Sequence, residues 1–411
     1  VKEDLRQLLK NPQRCFGQGP WTIASAPGRA DFLNTHQDYK GLPVVPVGID
    51  LRTFIFARVL NGRIFRVRSL NLEEELGEPC VDIFRVGKND MLGKGWFGNY
   101  FRGIINVLVE RGQAHKLKGL EAIIKSQIPI GSGLGSSAAL EITFLKLLDH
   151  LFNFSYTKKD LAEIAHLTET KEVGVPCGRL DHYGSAFGGI IKLECRYPFD
   201  VEQLPFADLI FVIIDSGIRH ATWDIHPARQ REINDGLKVL MESEKVSAKL
   251  KAKLGYRYDE LLWERISEEE VNPHLSLLDE KVRKRILYTL KTQKSTEFGL
   301  RILRGKTKPA GTMRQKMILG EIMNEQHELL RDLYEVSLPE LERIREAAIE
   351  GGAYGVKISG AGFGGSLIAL VKDIGMGTEV LDASLSAGAK QGWISKVAPG
   401  AKIESCKHEI Q

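Results

Sequence analysis

The chain has 411 residues, with 57 Lys and Arg against 53 Asp and Glu, a formal net charge of +4 and 43% hydrophobic residues. That length exceeds one typical core and predicts two domains, each burying its own apolar interior. The mild charge argues against nucleic acid as a partner, and the longest apolar run, Leu209 to Ile214, is only strand length, so nothing spans a membrane. Cys15, Cys80, Cys177, Cys195 and Cys406 are scattered, with no CxxC pair and no zinc-like spacing to His. Together with a polar start at Lys2, Glu3, Asp4 and Arg6 in place of a signal core, they place the protein in a reducing cytoplasm.

Trp21 to Ala26, Leu42 to Ile49, Arg52 to Leu60 and Arg63 to Ser69 read as strands, and Asn99 to Arg111 as an amphipathic helix. The fold class expected from this mixture is α+β. Ser25 to Tyr39 packs Arg29, Asp31, His36 and Asp38 into what reads as a loop between the first two strands. Such residues either bind a ligand or satisfy the amides of turns.

Leu120 to Ile128 suits a strand that delivers the chain to Pro129-Ile130-Gly131-Ser132-Gly133-Leu134-Gly135-Ser136-Ser137-Ala138-Ala139-Leu140. Beyond it, Ala139, Ile142, Leu148 and Phe152 recur at helical spacing, with Ser136 or Ser137 as candidate N-cap. Gly131, Gly133 and Gly135 let the backbone approach an anion, and a following helix offers it free amides and the positive end of a dipole. A P-loop would need a Lys before its Ser or Thr, and a dinucleotide fold an acid about twenty residues on at a strand end. No such Lys is present, and Asp149 falls inside the helical pattern.

Tyr197 to Asp208, with its prolines and acids, marks a boundary near residue 205 before the strand Leu209 to Asp215. The domains expected are therefore 1–205 and 206–411. His226 to His327 is Lys/Glu/Leu-rich and helical, and its charges, including the basic run Lys281 to Arg285, read as solvated helix faces. A second glycine loop, Ser359-Gly360-Ala361-Gly362-Phe363-Gly364-Gly365, feeds the apolar run Ser366 to Val371. Alone, such a loop more often marks a bend between packed strands than a site.

The Ser25 to Tyr39 segment, the Pro129 to Leu140 loop and the Ser359 to Gly365 loop together resemble, in order and spacing, the three signature motifs of the GHMP small-molecule kinases, with the galactokinases the nearest branch. Pro176-Cys177-Gly178-Arg179-Leu180-Asp181 resembles the segment that carries the family's catalytic carboxylate, and Asn324 to His327 with Glu335 to Leu341 resembles its C-terminal helices. The resemblance implies a two-domain fold with the site in the cleft between domains and transfer of the ATP γ-phosphate to the anomeric hydroxyl of galactose or a similar sugar. It implies Asp181 as the catalytic carboxylate, abstracting the proton or orienting the hydroxyl, and Arg29 as the cation beside it. Gly131, Ser132, Gly133, Leu134, Gly135, Ser136 and Ser137, with Gly360 and Gly362, would hold the nucleotide. Trp96 or Phe97, shifted by one residue from the family spacing, would stack on the base. Ser137 and Glu169 match the family's ligands for Mg2+.

Thr35, His36, Asp38, Gly178 and His226 would line the sugar pocket. Galactokinases usually carry Gly-Glu-His-x-Asp-Tyr in the first motif, whereas this chain has Asn34-Thr35-His36-Gln37-Asp38-Tyr39. Thr35 thus replaces a carboxylate near C6, which would suit galactose through a neutral hydrogen bond, a uronic acid such as galacturonate, or a pentose such as arabinose. His226 stands where a sugar-contacting Tyr is expected, in a segment one residue shorter, and either contacts sugar or caps a helix. A catalytically silent sugar- and ATP-sensing relative is the alternative outside enzymes. Nothing in the chain sets an oligomeric state.

Overall fold

The computed structural model describes residues 5–205, 208–219, 225–305 and 312–404. Its strands are β1 (Thr22–Leu33), β2 (Val45–Leu60), β3 (Ile64–Ser69), β4 (Val81–Arg85), β5 (Gly119–Ser126), β6 (Ile190–Leu193), β7 (Val201–Leu204), β8 (Ile210–Asp215), β9 (Gly355–Ser359), β10 (Ser366–Val371), β11 (Gln391–Lys396) and β12 (Lys402–Ile403). The first sheet runs β12-β1-β2-β5-β3-β4, with β6 and β7 attached beside β2, and the second runs β11-β8-β10-β9. Among the described residues only β3 and β5 pair in parallel.

β3 shows how sequence sets one face of the first sheet. Phe65 and Val67 point inward and alternate with exposed Arg66 and Arg68, the period of a half-buried strand. The helices Gly98–Glu110 and Ser136–Phe152 cover the inward face, where Phe101 meets Phe144 edge-on at 4.7 Å. In the second sheet β10 lies between β8 and β9 and is buried along its whole length.

Three expectations are corrected. Leu42 to Ile49 and Arg52 to Leu60 are not two strands but belong largely to the single strand β2, which stays buried through Ile49 to Leu51 apart from Asp50. The first half of Ser25 to Tyr39 is not a loop, because β1 continues to Leu33 with Ala30, Phe32 and Leu33 in the core. Arg285 is not a solvated charge: it is fully buried and bonded to Glu232, Glu335 and the carbonyl of Leu333.

The two sheets also do not keep wholly separate interiors. One apolar cluster joins Ala30, Phe32, Val47 and Leu134 to Phe211, Ile213, Leu300, Met323 and Ile368, with Phe32 and Phe211 in edge contact at 5.3 Å. After β11 the chain crosses back to the first sheet, where β12 pairs with β1. Arg52 clamps that return segment, donating to the carbonyls of Pro399 at 2.7 Å and Gly400 at 2.9 Å and to Ser25 Oγ at 2.8 Å. Arg52→Met keeps the stem but removes these donors, so unfolding free energy should fall by about 2–3 kcal/mol. Hydrogen exchange is expected to show lost protection across residues 399–403; unchanged protection would mean that β12 is held by other contacts.

Candidate active site

The first glycine loop joins β5 to the helix Ser136–Phe152. That helix is capped by neither serine. Its N-cap is Gly135, in the left-handed conformation at φ 70°, with no side-chain cap hydrogen bond. The reason is steric: glycine alone takes this φ without strain. The consequence is chemical, because the first-turn amides are left for a ligand. Inside the loop Ser132 Oγ donates to the Pro129 carbonyl at 2.8 Å, while Leu134 is buried in the shared core.

The second glycine loop lies against the first in backbone contact. A Cβ on Gly133 would stand 2.9 Å from the Ser359 carbonyl oxygen, and one on Gly360 would stand 3.1 Å from Gly133 Cα. Ser366 Oγ donates to the Ser132 carbonyl at 2.8 Å. Between the loops lies a small cleft lined by Gly131, Gly133, Ser359, Ala361, Gly362, Gly364 and Gly365. Gly360 contributes its amide at the rim, donating to Asp31 Oδ2 at 3.1 Å.

β1 ties both loops together. The amide of Arg29 donates to the Leu134 carbonyl at 3.0 Å, and that of Asp31 to Ser359 Oγ at 3.0 Å. Arg29 is 5% exposed. Its Nη1 donates to the Gly133 carbonyl at 2.5 Å, and its Nε and Nη2 to Asp181 Oδ1 at 2.9 and 2.5 Å. Burial opposes the guanidinium charge, but Asp181 and Asp31 more than offset this and raise its pKa. Asp181 sits in the first turn of the helix Leu180–Phe187, its side chain about one-third exposed at 30%.

Asp38, Gly178, His36 and Thr35 of the predicted sugar side lie near this pair. Asp38 leans on Gly178, where a Cβ would stand 1.6 Å from Asp38 Oδ2, so no other residue fits at 178. Burial, with the Asp181 and Asp31 charges assisting, pushes the Asp38 carboxyl up to about 6. His36 Nε2 lies 3.1 Å from the Ala361 carbonyl oxygen, with its ring 4.9 Å from that of Tyr334. Thr35 is buried, and its Oγ1 accepts from Lys357 Nζ at 2.7 Å. Burial lowers the Lys357 ammonium to about 8. His226 falls in the first turn of the helix Ile225–Glu242, and its side chain lies outside the described residues.

Trp96 and Phe97 part company. Phe97 turns into the core against Phe101, whereas Trp96 lines an open groove with Leu92, Gly93, Lys94 and Gly95. The Trp96 Nε1 donor is buried without a partner among the described residues.

Glu169 is no surface carboxylate, being 5% exposed in the turn Thr168–Val173. Although burial opposes its charge, hydrogen bonds from His182, Ser137 and Cys177 hold its pKa low. Two side-chain oxygens thus stand together at the mouth of the first loop, the hard-donor set that Mg2+ prefers. His182, raised by Glu141 and Glu169 against the effect of burial, was missed by the sequence reading, as were Glu141 and Lys357. Each was visible only as a polar residue inside an apolar element.

The description "GHMP kinases N terminal domain" matches residues 99–189, "GHMP kinases C terminal" residues 314–390, and "Galactokinase galactose-binding signature" residues 13–59. A galactokinase of Roseiflexus sp. (strain RS-1) is 30% identical over 375 residues, covering 90% of this chain and 88% of that protein. The chain belongs to the galactokinase family of GHMP kinases. A galactokinase of Exiguobacterium sibiricum is 31% identical, over 87% of this chain and 86% of its own. The crystal structure of Lactococcus lactis galactokinase complexed with galactose superposes with a TM-score of 0.79 at 27% identity, covering 97% of this chain and 99% of that one. GHMP kinases use ATP, and the kinase has no helix among its described residues long and apolar enough to cross a membrane.

Two outcomes test this geometry. Gly133→Ala places a methyl against Ser359 at a φ of +72°, and is expected to raise the KM for ATP at least tenfold with little change in the KM for sugar. Asp38 has a raised folded pKa, so its contribution to stability is full below pH about 4 and is lost as pH rises through about 6. Asp38→Asn should therefore stabilise the kinase at pH 7.5 by about 1–3 kcal/mol, measured by urea unfolding, while sugar binding falls. No stabilisation at pH 7.5 would contradict a buried Asp38 whose ionised form is disfavoured.

Proposed function

We propose that the chain is an ATP-dependent kinase that phosphorylates the anomeric hydroxyl of galactose. The observation that carries this reading is the buried Arg29–Asp181 pair, seated where the two glycine loops meet. The galactose-binding signature and the galactose complex of the Lactococcus lactis relative support the sugar. The architecture is taken as two domains, 1–205 and 206–411, with the return through β12 crossing to the first. A cytoplasmic, reducing setting agrees with the free thiols of Cys80, Cys177 and Cys195.

In this reading the base lies on Trp96, and the phosphates lie on Gly131 to Ser137, faced by Gly360 and Gly362. Asp38, His36 and Thr35 hold the sugar hydroxyls, with Gly178 giving Asp38 its place. Asp181 Oδ2, the oxygen that Arg29 does not engage, accepts a hydrogen bond from the anomeric hydroxyl, orienting it and taking its proton as attack proceeds. Arg29 cannot lose its own proton, so it serves as fixed positive charge beside the developing anion. Ser137 and Glu169 would hold Mg2+, which supplies neutralisation of phosphate charge. The intact Arg29–Asp181 pair speaks against a silent sensor, which has no use for a base.

A uronate such as galacturonate is the second reading, and Lys357 favours it. The ammonium fills an acceptor site on Thr35 Oγ1, so the hydroxyl is left to donate, and a cation stands behind it. Asp181→Asn is expected to lower kcat at least a thousandfold with the Kd for ATP within threefold of wild type. Near-normal turnover would overturn the assignment. A panel of galactose, galacturonate and arabinose with Thr35→Glu decides the sugar. If galactose is the substrate, the variant keeps galactose turnover; if a uronate is, the added carboxylate lowers its kcat/KM at least tenfold.

A further inference from the structure

Directly behind Ser137 and Glu169 is a buried group for which phosphoryl transfer as described above has no use. His182 follows Asp181 in the helix Leu180–Phe187 and is fully buried. Its Nε2 stands 3.1 Å from Glu141 Oε2 and 2.9 Å from Glu169 Oε2. Cys177 Sγ donates to the same Glu169 oxygen at 3.7 Å. Nδ1 has no hydrogen-bond partner among the described residues, so the polar attachment of the ring runs through Nε2.

Glu141 is one helical turn beyond Ser137, on the same face of the helix Ser136–Phe152. The four side chains therefore form a closed circuit. Ser137 faces Glu169, Glu169 meets His182, His182 meets Glu141, and the helix returns from Glu141 to Ser137. Two partners on Glu169 Oε2 restrict the rotation of the carboxylate and so narrow the directions open to its other oxygen. A small cation with octahedral demands is sensitive to that direction.

We propose that His182 is a positioning residue of the nucleotide–metal site: anchored by Glu141, its Nε2 fixes Glu169 Oε2, so that Glu169 Oε1 and the Ser137 hydroxyl are presented together to a divalent cation. This rests on the reading of Ser137 and Glu169 as metal ligands given under Proposed function.

The test uses the geometry of the ring. A Gln amide nitrogen can stand where Nε2 stands, and an Asn amide nitrogen where Nδ1 stands. His182→Gln should therefore rescue what His182→Asn loses, although both are polar and smaller than His. The readout is the Kd for Mn2+, standing in for Mg2+, measured by electron paramagnetic resonance on the full-length kinase with ADP. His182→Asn is expected to weaken Mn2+ at least tenfold and to raise the KM for Mg-ATP comparably, with the KM for sugar unmoved. His182→Gln is expected to stay within threefold of wild type on each measure. Equal Mn2+ affinity in the two variants would overturn the proposal. Should His182→Asn fail to fold, Glu141→Leu removes the far anchor and is expected to show the same tenfold loss; wild-type Mn2+ affinity there would overturn it equally. Glu169→Ala separates the two readings. If it leaves Mn2+ affinity intact, the metal assignment falls and the proposal with it; if it abolishes Mn2+ binding while His182→Asn does not, only the role of His182 falls.

Discussion

A single buried guanidinium holds the site together. Arg29 reaches a carbonyl in one glycine loop, the carboxylate at the start of the helix Leu180–Phe187 and, at 3.5 Å, Asp31 on its own strand. Taking such a charge out of water costs several kcal/mol unless every donor is met. The surrounding backbone is accordingly shaped around the side chain. A Cβ on Gly184 would come within 3.0 Å of Arg29 Cβ, and one on Gly135 within 3.4 Å of Arg29 Cγ. The two glycines let a helix and a loop close on the Arg29 stem, leaving Asp181 as the more exposed end of the ion pair.

That seat would be of little use if the two sheets moved independently. The loops come from different sheets, and their edges meet in backbone contact at Gly133 and Gly360. The shared apolar cluster under Phe32 and Phe211 supplies the rigidity, and the return of the chain to β1 through β12 adds a second tie. Residues from four distant segments, near 29–38, 131–137, 169–181 and 357–365, are thereby held in one place. Preorganisation of this sort is what phosphoryl transfer requires, since the protein contributes position and charge and not covalent chemistry.

The glycine loops were legible in the sequence because positive φ and close backbone approach admit almost no other residue. The first motif was legible in its chemistry but not in its conformation. Arg29 and Asp31 alternate with Ala30 and Phe32, which is strand periodicity, yet the charges suggested a loop because no pattern showed that Asp181, Ser359 and Gly360 would come to meet them. Arg285 was misjudged for the same reason, its partners Glu232 and Glu335 lying about fifty residues away on either side. Lys357, Glu141 and His182 follow the rule as well. A charge within an apolar run is ambiguous until its counter-charge is located in space, and pairing across elements is what a single sequence does not display.

The pocket proposed for the sugar has its own electrostatic logic. Asp38 is pressed against Gly178 in a place where its ionised form is disfavoured by burial and by neighbouring carboxylates. An amide there would avoid that cost, so on stability alone the carboxylate is the less favourable residue. Thr35 shows the opposite trade. Thr35 offers a hydroxyl whose lone pair is occupied by Lys357, and the ammonium is further anchored on the carbonyls of Asp31 and Ile358 at 2.8 and 2.9 Å. With its three donors used, Lys357 acts on a ligand only through Thr35 and through its charge. The proposed pocket is thus graded, acceptor-rich at Asp38 and Asp181 with a single hydroxyl donor at Thr35, and the orientation of a sugar bound there would follow from matching its hydroxyls to that gradient.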